Sequence, residues 1–226
     1  MSSDYPEPTK PIRAIAFDMD GLLASSEDVY EHVGTETLRR RGKPFEDELR
    51  HKMMGLPSPL AYQTMIDWHG LTDTVEELSA ESEVIFWEIA EGMIEPMPGV
   101  KETLARVDAA GIPRAVVTSG ERRYADRILR LVGASEGMRF VITADDIKLG
   151  KPHPEPYLNA AQLHGVDPSE MMVLEDSHNG TRAGIAAGAY TVAVPSPHTH
   201  DHDFTGVKFV ADTLLDPRIA AALKLA

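Results

Sequence analysis

Five short aliphatic runs without polar alternation constrain the fold of this chain more than any other feature. They are Ile12 to Phe17, Arg114 to Thr118, Phe140 to Thr143, Met171 to Leu174 and Tyr190 to Val194, with Val207 to Val210 as a weaker sixth. A strand that is apolar on both faces must be covered on both, as in a parallel sheet between helix layers. Helical patterns lie between the runs, over Val100–Ala110, Arg122–Leu131, Pro154–His164 and Thr181–Ala187. Gly111, Gly133, Gly165 and Gly188 supply stop signals at or just after their ends. Strand and helix therefore alternate from about residue 96 onward, which predicts an α/β protein with a doubly wound, mostly parallel sheet.

The stretch between the first and second runs breaks this alternation. It reads as helices only, over Glu27–Arg41, Phe45–Met53, Pro59–His69 and Thr74–Glu91. Arg39, Arg40 and Arg41 before Gly42 suit the negative end of a helix dipole, and Gly70 closes the third helix. Trp68 and Trp87 fit apolar helix faces. An all-helical block after the first strand predicts an inserted domain: residues 26–94 form a helical cap, and residues 1–25 with 95–226 form the α/β core. No internal repeat or low-complexity segment is present.

Composition narrows the partners. A formal net charge of −14 argues against a nucleic-acid or anionic-membrane surface, since both partners are themselves anionic. A phosphate substrate would need local positive potential built against this background, from a metal ion and a few placed cations. The chain has no cysteine, which excludes disulfides, thiolate chemistry and Cys-based zinc sites. It has no apolar run long enough to span a bilayer, and its N-terminus lacks the pattern of a signal peptide. A cytoplasmic protein, monomeric by default, is expected.

Four groups of polar residues fall at or just beyond strand ends, where ligands bind in open α/β sheets. Asp18-Met19-Asp20-Gly21 follows the first strand, and two carboxylates at i and i+2 can ligate a hard cation or form a turn. Thr118-Ser119-Gly120 ends the second, where a hydroxyl and backbone N–H groups suit phosphate oxygens or a helix N-cap. Lys151 sits in Gly150-Lys151-Pro152-His153-Pro154, whose two prolines stiffen the loop around a countercharge. Glu175-Asp176-Ser177 follows the fourth; adjacent acids repel unless a cation or donor separates them, and Asp176 or Ser177 could cap the next helix.

Taken together and in this order, the four groups resemble the haloacid dehalogenase superfamily of phosphatases and mutases. That family carries DxDG after the first strand, a Ser or Thr ending the second, a Lys within GKPxP, and an acidic pair after a later strand. The helical block between the first two motifs is similar to the cap of the subgroup containing β-phosphoglucomutase and small-sugar phosphatases. The resemblance implies a Rossmann-like core and a set of roles. Asp18 attacks phosphorus and becomes an aspartyl phosphate, while Asp20 protonates the leaving oxygen and later deprotonates water. Thr118 and Lys151 hold the transferring group with backbone help from Ser119 and Gly120. Mg²⁺ is bound by Asp18, Asp176 and the main-chain carbonyl of Asp20, with Glu175 supporting or joining that shell. An ordinary Asp has a pKa of about 3.9 and is ionised at neutral pH, but attack on an anionic phosphate needs Mg²⁺ and Lys151 to offset the charge.

Departures from the family pattern sharpen the reading. Asp20 disfavours dehalogenation, and no cap lysine, neither Lys43 nor Lys52, marks itself for the Schiff base of phosphonate hydrolysis. Ser25 stands where an Asp is common. Tyr30 occupies the position of a mutase histidine, with His32 two residues late, and Glu121-Arg122 replaces a Lys-Asn pair expected near a second phosphate. Phosphatase action on a small phosphorylated metabolite, such as a sugar or polyol phosphate, therefore leads over a phosphosugar mutase and a non-catalytic binding protein. Met53-Met54-Gly55-Leu56-Pro57 is the expected source of substrate contacts. Asp145-Asp146 reads as a turn or helix cap. His198, His200 and His202, alternating in a loop with Asp201 and Asp203, resemble a metal cluster if the loop is extended, although Pro195, Pro197 and Gly206 mark a surface connection.

Overall fold

The computed structural model describes residues 5–53, 56 and 58–225. In chain order the strands are β1 (Ala14–Phe17), β2 (Arg114–Val117), β3 (Met138–Ile142), β4 (Met171–Glu175) and β5 (Tyr190–Ala193). The helices are α1 (Glu27–Arg39), α2 (Asp47–Met53), α3 (Ser58–His69), α4 (Val75–Met93), α5 (Val100–Ala109), α6 (Arg122–Leu131), α7 (Glu155–His164), α8 (His178–Ala186) and α9 (Pro217–Leu223). The chain divides into two compact units, Met1–Ser25 with Glu95–Ala226, and Ser26–Ile94. Among the described residues, no helix is long and apolar enough to cross a membrane.

The first unit is built on a parallel sheet of order β3-β2-β1-β4-β5. Every residue of β1, β2, β4 and β5 is buried, which is why these strands read as unbroken aliphatic runs. Ala160 and Ala161 of α7 and Ala183 of α8 pack with Ala14, Ala16, Val117 and Val173 of the sheet, so small side chains set the layer spacing. Gly184 takes this furthest: a Cβ there would stand 2.7 Å from Thr191 Oγ1. The order places β1 in the middle, where parallel crossovers leave the sheet in opposite directions, and a crevice opens at the carboxyl ends of the flanking strands.

Register brings those ends level. Phe17 is opposite both Val116 and Leu174, and Glu175 is opposite Ala193. Backbone bonds carry the alignment one residue further, from Asp18 N to Leu174 O (3.0 Å), from Thr118 N to Ile142 O (2.9 Å) and from Val194 N to Glu175 O (2.7 Å).

Two sequence expectations need correction in this unit. Val207–Val210 does not form a sixth strand: its pairing is the single bridge between Ala193 and Val210, flanked by Lys208 N to Thr191 O at 2.8 Å. Phe209 alone of the four is buried, so this run has no continuous apolar face to hold a strand. Helix α8 begins at His178 rather than Thr181, because the Ser177 side chain caps it by accepting from Gly180 N at 3.1 Å.

The second unit is helical. Leu38, Leu49, Met65 and Leu78 form its core, with Phe45, Ile66, Trp68 and Leu71 packed around them. Helix α4 starts at a capping box in which Thr74 and Glu77 exchange backbone bonds. Helix α1 stops at Arg39, two residues short of the expected end. Arg41 lies beyond it and donates to Asp73 and Glu81 at 2.6 Å each and to Thr37 O at 2.8 Å, binding three segments of the unit. Of the segment expected to supply substrate contacts, Met54, Gly55 and Pro57 lie outside the described residues.

Candidate active site

Asp18, the first residue past β1, is 7% exposed. The chain then folds back tightly, with Leu23 N and Ala24 N both donating to Met19 O at 2.8 and 3.0 Å. This hook leaves Asp20 half-buried, where Thr118 Oγ1 donates to its Oδ2 at 3.3 Å. The hook closes on Ser25, whose N–H and hydroxyl donate to Glu95 O (3.0 and 3.2 Å) and whose Oγ accepts from Glu95 N (2.9 Å). Ser25, which departs from the family pattern, thus ties together the two segments that leave and re-enter the first unit.

Lys151 supplies the positive charge. Its ammonium donates to Asp18 Oδ1 at 2.5 Å, Glu175 Oε1 at 2.6 Å and Val117 O at 2.8 Å, which uses all three of its protons. Burial opposes that charge, but the Asp18 and Glu175 carboxylates outweigh it and hold the pKa above the usual lysine value. Asp18 is driven the other way from an ordinary carboxylate. Burial first, then the Glu175 and Asp20 charges, raise its pKa well above the usual range against the pull of Lys151.

Glu175 is fully buried and held at both oxygens. Oε1 accepts from Lys151 and from Tyr157 OH at 2.7 Å, and Oε2 accepts from Ser177 Oγ at 3.0 Å and Ser177 N at 3.3 Å. Room for this carboxylate comes from Gly180, where a Cβ would overlap it outright. Burial, then the Glu175 and Asp18 charges, push the Tyr157 hydroxyl well above its ordinary pKa, so it remains a donor. Asp176 is 2% exposed, and its Oδ2 accepts from Thr199 Oγ1 at 3.1 Å.

The structure thus brings Asp18, Asp20, Thr118, Lys151, Glu175 and Asp176 to one end of one sheet. Thr118 does not cap α6: its Oγ1 instead accepts from Gly120 N at 3.0 Å, and the N-cap position is Glu121. Gly120 is half-buried and Ser119 exposed in the same loop. Arg122 is turned away, donating to Asp146 Oδ2 (2.5 Å) and Val141 O (2.7 Å), and Arg123 donates to Glu121 at 2.9 Å. Asp146 forms a capping box with Thr143, as a short 3-10 turn over Ala144–Asp146 requires. In the second unit, Tyr30 is 44% exposed and His32 Nδ1 lies 2.8 Å from Asp28 O.

The His198, His200 and His202 loop is a turn, not an extended segment, so its alternate residues do not share a side. His200 Nδ1 lies 2.8 Å from Pro197 O, and His202 Nδ1 accepts from His178 N at 3.3 Å. Sequence reasoning passed over two residues that touch the acids. Tyr157 was hidden in the apolar pattern of its helix, and Thr199 lies among the more conspicuous histidines.

Among the described residues, the group able to hold a metal ion is Asp18, Glu175 and Asp176, with ligand oxygens within 4.8 Å of one another. Asp18, Asp20, Glu175 and Asp176 bring four carboxylates to a site where Lys151 is the ammonium, an excess of acidic groups over cationic ones. An oxygen-only donor set with that excess fits a hard divalent cation.

These features define a doubly wound α/β protein with its polar site at the carboxyl ends of the central strands and a helical unit inserted after the first. The haloacid dehalogenase-like hydrolase family matches residues 12–188, and the chain belongs to that family. It is 33% identical to validoxylamine A 7'-phosphate phosphatase of Streptomyces hygroscopicus subsp. limoneus, over 80% of this chain and 85% of that protein. It is equally 33% identical to hexitol phosphatase A of Escherichia coli K12, over 82% of this chain and 84% of that one. Among solved structures it resembles CbbY from Rhodobacter sphaeroides in complex with phosphate, with a TM-score of 0.81 and 26% identity over 95% of this chain and 100% of that one.

Proposed function

We propose that this chain is a Mg²⁺-dependent phosphatase that hydrolyses a small phosphorylated metabolite of the sugar or polyol phosphate class through an aspartyl phosphate on Asp18. The observation that carries this reading is the convergence of Asp18, Asp20, Lys151 and Asp176 on one sheet end, with Lys151 bonded to the proposed nucleophile. The relatives named for phosphatase activity on a validoxylamine phosphate and on hexitol phosphates support the substrate class.

In this mechanism an Asp18 carboxylate oxygen forms a bond to phosphorus as the ester bond breaks. Asp20, whose orientation is fixed by Thr118, delivers a proton to the departing alkoxide oxygen. Water then attacks the phosphorus of the aspartyl phosphate, giving its proton to Asp20, and inorganic phosphate leaves. Splitting one displacement into two gives each step an easier barrier. Lys151 and Thr118 stabilise negative charge on the transferring group. Mg²⁺ held by Asp18 and Asp176 would supply electrostatic stabilisation of the phosphoryl oxygens. Glu175 anchors Lys151 from below, since its oxygens already accept from Lys151, Tyr157 and Ser177.

The test is a panel of sugar, polyol and other metabolite monoesters with Mg²⁺, assayed for phosphate release by the wild type and by Asp18→Asn. Release that disappears in the variant is expected. Turnover of none of them, with no difference between the two proteins, would sink the enzyme reading. Isomerisation of a hexose 1-phosphate primed by a bisphosphate would replace hydrolysis with mutase action, for which Arg122 and Arg123 offer little, being engaged by Asp146 and Glu121.

A further inference from the structure

Behind Asp176 lies a chain of hydrogen bonds that the catalytic roles above do not use. Thr199 is 4% exposed and Ser196 is 1% exposed, although both belong to the connection after β5. Thr199 Oγ1 donates to Asp176 Oδ2 at 3.1 Å. The same oxygen accepts from Ser196 N at 2.9 Å and lies 3.1 Å from Ser196 Oγ. Ser196 Oγ in turn accepts from His198 N at 3.3 Å.

The direction of this chain follows from proton counting. An ionised carboxylate only accepts, and a hydroxyl carries one proton. Thr199 spends its proton on Asp176, so in its contact with Ser196 Oγ it is the acceptor, and Ser196 Oγ accepts from His198 N–H. Every dipole in the series therefore points at Asp176, and such aligned bonds reinforce one another in a buried setting. A carboxylate held this way has its rotation fixed before any cation arrives.

We propose that Thr199, oriented by Ser196, is a positioning residue that presets the Asp176 carboxylate for cation binding. This rests on the reading of Asp176 as a ligand of the divalent cation. Loss of the hydroxyl leaves Asp176 ionisable but removes one of the contacts that set its orientation, so cation affinity falls while the chemical step at saturating cation is largely kept. Partners one shell behind a ligand typically contribute about 10- to 100-fold to metal affinity.

The experiment is calorimetric titration of chelator-stripped, full-length protein with Mg²⁺, alongside phosphate release as a function of Mg²⁺. Wild type, Thr199→Val, Thr199→Ser and Asp176→Asn are compared, with circular dichroism to verify folding. Thr199→Val, nearly isosteric, is expected to bind Mg²⁺ about tenfold more weakly, while Thr199→Ser stays within about twofold of wild type. Should Thr199→Val fail to fold, Ser196→Ala is expected to weaken binding in the same direction, by less than the roughly tenfold expected of Thr199→Val. Equal Mg²⁺ affinity in wild type and Thr199→Val, with Asp176→Asn impaired, overturns the role of Thr199 and leaves the site reading standing. Equal affinity in wild type and Asp176→Asn overturns both. Equal losses in Thr199→Ser and Thr199→Val also overturn the proposal, because the hydroxyl would then not be what matters.

Discussion

Tyr157 and Gly180 show how closely single residues fit the Glu175 carboxylate. Tyr157→Phe removes one of its donors and leaves the ring in place, so a cost of about 1–3 kcal/mol is expected, read as a lower urea midpoint with unchanged slope. Gly180→Ala puts a methyl group where the Glu175 carboxylate sits, so either that carboxylate or α8, which packs on β4, has to move. It is expected to cost about 1–3 kcal/mol and also to lower turnover, because Glu175 cannot move without taking Lys151 with it. Normal turnover in Gly180→Ala would show that Lys151 does not depend on Glu175 for its position. At this scale the sequence was partly legible. Asp18, Glu175 and Asp176 stand out because charged residues at or directly beyond the ends of apolar strands have few structural reasons to be there, and Lys151 stands out in its proline-stiffened loop. Tyr157 and Thr199 did not stand out, since their partners lie 18 and 23 residues away and are set by packing of the folded chain.

Helix α7 carries a feature that tests packing separately from chemistry. His164, in its last turn, is buried with its ring 4.6 Å from that of Phe140. Burial first, and then the Arg139 charge, lower its pKa to about 4. The unfolded chain takes up this proton near the ordinary value of about 6.5, so between pH 6.5 and 4 the unfolded state binds more protons than the native one. Native stability therefore falls as the pH is lowered across that window, by roughly 3 kcal/mol from this residue. His164→Leu is expected to flatten that part of the stability–pH curve, measured by urea unfolding at intervals of pH. An unchanged slope would mean that His164 is protonated in the native state. The elements themselves were legible to the extent that burial has a periodic signature. Strands covered on both faces read as solid runs, whereas Val207–Val210 has the composition of a strand without its burial. The start of α8 was missed because Ser177, His178 and Asn179 follow the acidic pair and look like loop, and only the Ser177 cap reveals the helix.

Over the whole molecule, the proposed function requires an acidic chain of net charge −14 to hold an anionic phosphate ester at a site rich in carboxylates. The proposed chemistry depends on an added divalent ion at the buried acidic site. Protein stripped with a chelator is expected to release no phosphate, and Mg²⁺ should restore activity, whereas full activity in excess chelator would contradict a metal requirement. The residues assigned to chemistry all belong to the first unit, and the division into units falls at the break in strand–helix alternation. Substrate choice is less legible in the sequence, because the expectation placed on residues 53–57 names a segment of the chain and not the chemistry that would select a metabolite.

The central claim is that the phosphoryl group passes to Asp18 before it reaches water. It is tested most directly by quenching the enzyme during turnover, reducing with borohydride and mapping the peptides by mass spectrometry. Borohydride converts an aspartyl phosphate to homoserine and leaves free aspartate unchanged. The account predicts homoserine at position 18, dependent on both substrate and Mg²⁺ and absent from Asp18→Asn. Steady turnover with unmodified Asp18 throughout, or with the modification at another carboxylate, would contradict it.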